Sequence, residues 1–134
     1  MPLSNQPRNR LTVNAPLGHI QNMQTVAETI RYAQRVAKLL SMAERDAVIA
    51  TIAADPMAGD LIQGTGGLRK LRFGKGGRGK SGGVRVIYYF HDEGMPVFML
   101  DIYGKNERSD LSHAERKNLA KLVSLLKSDR RSMS

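Results

Sequence analysis

Cationic side chains and glycines are concentrated in the middle of the chain. Residues 61–91 contain no Asp or Glu, and residues 64–83 hold nine of the thirteen glycines. Glycine backbone N–H groups let a ligand approach closely, and Lys and Arg attract phosphate groups. The pattern therefore favours a surface that binds a polyanion over a merely solvated charged surface. Its cations are Arg69, Lys70, Arg72, Lys75, Arg78, Lys80 and Arg85.

Composition limits the possible classes of protein. The 134 residues suit one domain, and the net charge of +9 indicates an anionic partner such as nucleic acid, anionic lipid or an acidic protein. There is no cysteine, which excludes disulfides and cysteine-based zinc sites. No apolar run is long enough to span a membrane and residues 1–14 do not look like a secretory signal, so we expect a cytoplasmic protein.

A nucleotide-binding motif in the glycine-rich segment is rejected. Residues 74–81 match the spacing G-x-x-x-x-G-K-S of a P-loop. A P-loop needs a helix that starts directly after the motif, so that the N-terminus of the helix can bind phosphate. Here Gly82 and Gly83 follow, and then a β-branched segment. The glycines and cations of the segment therefore still favour binding of phosphate, but no ATP or GTP site is predicted there.

Periodicity predicts two helices, a meander of strands and a third helix. Ser41 and Glu44 form a capping box, which predicts that a helix begins at residue 42. Another helix is predicted before it, and a short connection joins the two. Strands are predicted at residues 68–73, 84–90 and 97–103, with Phe98, Leu100 and Ile102 on one side of the last strand. A second capping box, at residues 112 and 115, begins the final helix.

These elements predict an α+β fold, in which an N-terminal helical hairpin packs on a small antiparallel sheet of three to four strands with a C-terminal helix. We expect residues 21–127 to form this single domain. Residues 1–20 are expected to be a flexible tail, and residues 128–134 a polar tail.

Three segments of the sequence resemble toxins of the RelE/ParE superfamily, most closely its HigB-like branch. They are residues 60–72 (DLIQGTGGLRKLR), 79–90 (GKSGGVRVIYYF) and 101–111 (DIYGKNERSDL). The resemblance extends over residues 25–126. It implies a RelE-like fold, in which residues 24–29 form an edge strand. It also implies a ribosome-dependent endoribonuclease that cleaves mRNA in the A site through attack of the ribose 2′-OH on the phosphate, without a metal or cofactor.

The resemblance also implies roles for individual residues. Arg85 corresponds to the arginine that meets the scissile phosphate, Lys70 and Arg72 to a basic strand with catalytic roles, and Lys105 to a basic position at the edge of the cleft. Where some relatives place an arginine and a tyrosine, this chain has Asn106 and Ser112, the latter followed by His113, so the general acid is not identified. The residues expected to bind RNA or the ribosome are Arg69, Lys75, Arg78, Lys80 and Tyr103.

The implied partners are the ribosome with its mRNA, and a cognate antitoxin of the helix-turn-helix type. Contact with DNA would then occur only through the antitoxin, and no membrane partner is expected. Two alternatives remain open: a ParE-like toxin that targets a protein such as gyrase, and a basic RNA-binding module without catalytic activity. The cations of residues 61–91, a segment without Asp or Glu, argue against the first alternative. The small number of aromatic residues argues against the second.

Overall fold

The elements of the fold follow the predicted order. The computed structural model describes residues 23–74, 83–108 and 110–133. The α+β class, the helical hairpin and the closing helix are confirmed. In chain order the elements are β1 (Val26–Glu28), α1 (Ile30–Leu39), α2 (Met42–Ala54), β2 (Asp60–Leu61), β3 (Leu68–Phe73), β4 (Val84–Tyr89), β5 (Val97–Gly104) and α3 (His113–Met133).

The described strands form one mixed sheet of five strands, in the order β1-β5-β4-β3-β2. β3, β4 and β5 make the predicted antiparallel meander. β1 is the expected edge strand within residues 24–29, and it pairs with β5 in parallel. β2, which pairs antiparallel with β3, is the additional strand that the sequence analysis does not predict. It has only two residues, too few for an alternating pattern to be recognised.

One face of the sheet packs against α1 and α2. The hydroxyl of Tyr88 extends this packing into the segment after α2, because it donates a hydrogen bond to the carbonyl of Pro56 (2.7 Å) and accepts one from the N–H of Gly59 (2.8 Å). The core on this face consists of Tyr32, Val36, Leu40, Val48, Ile52, Leu71, Val84, Val86, Tyr88, Val97, Met99 and Ile102.

The other face packs against α3, and its core contains Leu68, Ile87, Tyr89, Met95, Leu100, Tyr103, Leu111 and Val123. The prediction that Phe98, Leu100 and Ile102 share a side is wrong. Phe98 and Leu100 lie on the α3 side, whereas Ile102 lies under α1 and α2. A β-bulge causes the change, since Ile87 pairs with Asp101 and the next residue, Tyr88, pairs with Met99. Leu100 is thus an extra residue that interrupts the period of two.

The two capping boxes expected from the sequence are present at the starts of α2 and α3. In the first, the N–H of Glu44 donates to Ser41 Oγ and the N–H of Ser41 donates to the Glu44 carboxylate. Ser112 and Glu115 make the same pair of bonds before α3. α3 then continues to Met133, so the segment expected as a polar tail from residue 128 is helical up to that point. No Gly or Pro follows residue 112 to interrupt it. None of the helices in the described ranges is long and apolar enough to cross a membrane.

Candidate nucleic-acid interface

Cationic side chains of β3 and β4 lie on the face of the sheet that α3 covers. Arg72 pairs directly with Arg85, and Arg85 pairs on its other side with Tyr103. Lys70 pairs with Ile87, whose side chain belongs to the core under α3. Side chains of directly paired residues project from the same face. The structure therefore brings the predicted residues Lys70, Arg72, Arg85 and Tyr103 onto one face.

Arg72 and Arg85 form a pair of like charges at the end of the hairpin that carries the glycine-rich loop. Arg85 is only 5% exposed, and its guanidinium donates to the carbonyl of Val84 at 3.3 Å. Arg72, on the neighbouring strand, is exposed. Like charges directly across a strand pair repel each other. A phosphate bound to both guanidinium groups would relieve this repulsion through charge-assisted hydrogen bonds.

Asp110 connects Lys70 to the first turns of α3. Its Oδ1 lies 3.4 Å from Lys70 Nζ and its Oδ2 lies 3.5 Å from Arg116 NH2. Desolvation raises the pKa of Asp110, but the N–H of Leu111 and the ammonium of Lys70 outweigh it, so the net pKa is below the usual value. Asp110 is therefore a carboxylate held between two cations, Lys70 and Arg116.

Tyr103 is buried, which conflicts with its expected role of stacking on a base. Its side chain is 0% exposed, and the guanidinium of Arg108 covers the ring at 4.6 Å from the centroid. Burial raises the pKa of Tyr103 to about 12. Its hydroxyl has no hydrogen-bond partner among the described residues. In this conformation, Tyr103 packs under Arg108 and presents no ring face to a ligand.

Lys105 lies at the same end of the sheet as Arg72 and Arg85. Its backbone N–H donates to the carbonyl of Gly83 at 2.9 Å, which fixes the turn after β5 beside the start of β4. Its side chain is half-buried. The remaining predicted RNA-binding residues of the glycine-rich loop, Lys75, Arg78 and Lys80, lie outside the described residues.

Arg69 lies apart from this surface. It pairs with Tyr88, so it projects from the face that α1 and α2 cover. Its guanidinium donates to the carbonyls of Gly59 at 2.7 Å and Met57 at 3.3 Å. The structure therefore gives Arg69 the role of holding the segment before β2 against β3. The alternation of β3 already separates residue 69 from residues 70 and 72.

The geometry thus consists of a helical hairpin and a helix on opposite faces of a mixed sheet, with a cationic surface at one end. A model of the family described as the RelE toxin of the RelE / RelB toxin-antitoxin system matches residues 27–133. The chain belongs to the RelE toxin family. The match extends from within β1 to the end of α3, so it covers all of the described fold except residues 23–26. The RelE family assignment makes this chain the toxin of a toxin–antitoxin system, with an antitoxin as its partner.

Sequence reasoning missed a charged cluster that holds the segment after β5 in this RelE family member. Asp101 is 1% exposed, and Arg35 Nε lies 3.0 Å from its carboxylate, Arg31 NH2 3.4 Å and Arg108 NH2 3.9 Å. Arg108 also pairs with Glu115 in the first turn of α3. The signal that could have revealed the cluster is the carboxylate of Asp101 within an otherwise apolar strand, because a buried carboxylate needs charged or hydrogen-bonding partners. Among the described residues, no three His, Asp or Glu side chains form a group suited to a metal ion.

Proposed function

We propose that this RelE family toxin is a ribosome-dependent endoribonuclease that cleaves mRNA in the A site and so inhibits translation. The observation that carries the proposal is the Arg72–Arg85 pair, with Lys70 on the same face. Such cations suit a phosphodiester more than a protein surface, which favours an RNA target over a protein target.

The reaction needs stabilisation of charge at phosphorus. The 2′-oxygen of the ribose forms a bond to phosphorus as its proton leaves to a base, and the bond from phosphorus to the 5′-oxygen breaks as that oxygen takes up a proton. The products are a 2′,3′-cyclic phosphate and a 5′-hydroxyl. Negative charge grows on the non-bridging oxygens at the transition state, and fixed cations lower its energy most when they are oriented before the reaction.

Arg85 is assigned to the non-bridging oxygens of the scissile phosphate. Because it is 5% exposed and held between β3 and β5, its guanidinium needs little reorganisation to meet the transition state. Arg72, directly across from it, supplies a second positive charge. Lys70 and Lys105 are assigned to the two sides of the same phosphate, where a lysine can exchange protons with the 2′-oxygen or the 5′-oxygen.

The primary experiment is a cleavage assay with translating ribosomes and a defined mRNA, in which the 5′ ends of the fragments are mapped. Naked mRNA is the parallel control. We expect cuts within A-site codons only when ribosomes are present. Cuts in naked mRNA would refute the ribosome dependence, and the absence of cuts in both reactions would refute the endoribonuclease activity and favour a protein target.

The assignment of Arg85 is tested by Arg85→Ala and Arg85→Lys in the same assay. Removing one oriented donor to transition-state charge lowers a rate by about 100- to 1,000-fold. Arg85→Lys keeps the charge but loses the planar pair of donors, so it should restore only part of the rate. Lys38→Ala, on an exposed position of α1, is the control for loss of one positive charge and should cleave normally. A folded Arg85→Ala protein with the wild-type rate would refute the role of Arg85.

A further inference from the structure

A groove lies between α3 and the loop that connects β2 to β3, next to the cationic face. Its volume is about 430 Å³, within the range of cavities that bind small-molecule groups. The loop packs directly against α3, since a Cβ added at Gly66 would lie 3.5 Å from Val123 Cγ1 and 3.6 Å from Lys127 Nζ. The lining residues are Gln63, Gly64, His113, Arg116, Lys117 and Ala120.

The lining of this α3–loop groove is basic and contains no acidic residue. Arg116 and Lys117 carry full positive charges, and His113 adds an imidazole that can donate a hydrogen bond. Gly64 has φ of +76°, and a Cβ added there would meet nothing within 4 Å, so its backbone borders open space. Ala120 and the aliphatic stems of the two cations give the groove an apolar part. This combination suits a nucleotide, which has a charged phosphate and an apolar base face.

Arg116 supplies an independent observation. Its Nε is buried and has no hydrogen-bond partner among the described residues. The hydrogen bond that its NH2 group donates to Asp110 Oδ2 is long, at 3.5 Å. Nε and NH2 lie on one edge of the guanidinium, the edge that a phosphate binds through two parallel hydrogen bonds. A donor left without an acceptor in this way is a place where an anion would be stabilised.

The groove also lies beside Lys70 of the proposed cleavage site. Arg116 and Lys70 contact the two oxygens of the same Asp110 carboxylate. The side chain of Asp110 thus lies between the α3–loop groove and the face that carries Lys70. A single strand that places its scissile phosphate at Arg85 can therefore extend past Lys70 into the groove.

We propose that the α3–loop groove binds a second nucleotide of the mRNA strand, with its phosphate on Arg116 and Lys117. This inference rests on the proposed function, because it assumes that the strand crosses the face that carries Lys70, Arg72 and Arg85. The groove holds the strand in register while the neighbouring phosphate reacts. Entry of the strand displaces Asp110 from Arg116.

The test compares two lysines of α3 that carry the same charge. Lys117 lines the groove, whereas Lys121, one helical turn later and also exposed, does not. Binding of wild type, Lys117→Gln and Lys121→Gln to a labelled 2′-O-methyl oligonucleotide of about eight nucleotides is measured by fluorescence anisotropy. The oligonucleotide cannot be cut, because it lacks the attacking hydroxyl. The titrations are repeated from about 50 to 200 mM salt.

We expect Lys117→Gln to weaken binding and to reduce the log–log salt slope by about 0.7, the value for one phosphate contact on a single strand. Lys121→Gln should leave the slope unchanged. Equal effects of the two substitutions, in a wild type that binds RNA, would overturn the groove assignment alone. Absence of salt-dependent binding by the wild type would overturn the inference, whereas the proposed function is overturned only by the absence of A-site cuts in the assay with translating ribosomes. Normal oligonucleotide binding by Lys117→Gln with weaker binding to vacant ribosomes would assign the groove to the ribosome instead, and would also overturn the inference.

Discussion

Replacing Asp101 by Asn removes the charge that three arginines share while keeping the size of the side chain. The amide oxygen of the variant can still accept the hydrogen bond that the N–H of Ile102 donates to Oδ1 at 2.8 Å. The change therefore isolates the carboxylate's interaction with Arg31, Arg35 and Arg108. These arginines connect α1 and the segment after β5 to β5 itself, so the perturbation acts on the relative position of three parts of the chain.

The expected loss of stability depends on how deeply the carboxylate and the arginines of the cluster are buried. Breaking a fully buried ion pair costs about 3–5 kcal/mol, because the remaining charge is left without compensation. Here Asp101 is buried, but Arg31 has 57% of its side chain exposed and can be rehydrated. We therefore expect a loss of about 2 kcal/mol in the free energy of unfolding, which corresponds to a decrease in Tm of roughly 6–10 °C for a chain of this length.

The assay is urea unfolding followed by far-UV circular dichroism. Asp92→Asn is the matched control, since Asp92 is half-buried at the surface and contacts His91 at 3.6 Å. It should change the free energy of unfolding by less than about 0.5 kcal/mol. If Asp101→Asn were no more destabilising than Asp92→Asn, the cluster would be no stronger than a surface ion pair and the argument from burial would be refuted.

Three further predictions concern the packing around α3. Hydrogen bonding from Arg108 lowers the pKa of Glu115 to about 2. Its stabilising contribution is therefore complete above the unfolded-state pKa and is lost as the pH falls towards 2, and Glu115→Gln should flatten the dependence of Tm on pH in that window. Tyr103→Phe removes a buried hydroxyl that has no described partner, so the urea midpoint should stay the same or rise. Gly67→Ala should destabilise by more than about 1 kcal/mol in the same urea assay, because φ is +127° and the added Cβ would lie 3.1 Å from the Tyr89 ring. A wild-type urea midpoint for Gly67→Ala would contradict the reasoning from backbone geometry.

The sequence predicted those helix starts and strand bounds that depend on residues close to each other in the chain. The capping boxes at Ser41 and Ser112 determine where α2 and α3 begin through side chains three residues away. The predicted bounds of β3 match those of the structure, because its residues belong to one regular hairpin with β4. The period of two failed in β5, where the extra residue Leu100 depends on pairing with another strand.

The site was predictable to the extent that its residues are close in sequence or on paired strands. Arg72 and Arg85 lie on predicted strands of the same meander, and the structure pairs them directly. By contrast, Asp110 and Arg116 reach Lys70 only because α3 folds back over the sheet. Tyr103 was predicted to stack on a base, but it is covered by Arg108, whose own position depends on carboxylates of β5 and α3. Contacts of this kind leave no periodic signal.

The position of β5 in the sheet affects when the chain can fold during its synthesis. β5 is the strand to which β1 pairs and against which α1 packs, with the N–H of Thr29 donating to the carbonyl of Met99 at 3.1 Å. The helical hairpin ends at residue 54, and β5 ends at residue 104. At about 5–20 residues per second, a ribosome needs roughly 3 to 10 s to make the 50 residues between these two points. During that interval the nascent hairpin has no sheet to cover its apolar side. The sheet that covers the hairpin is therefore completed only after β5 has been made, several seconds after the hairpin itself.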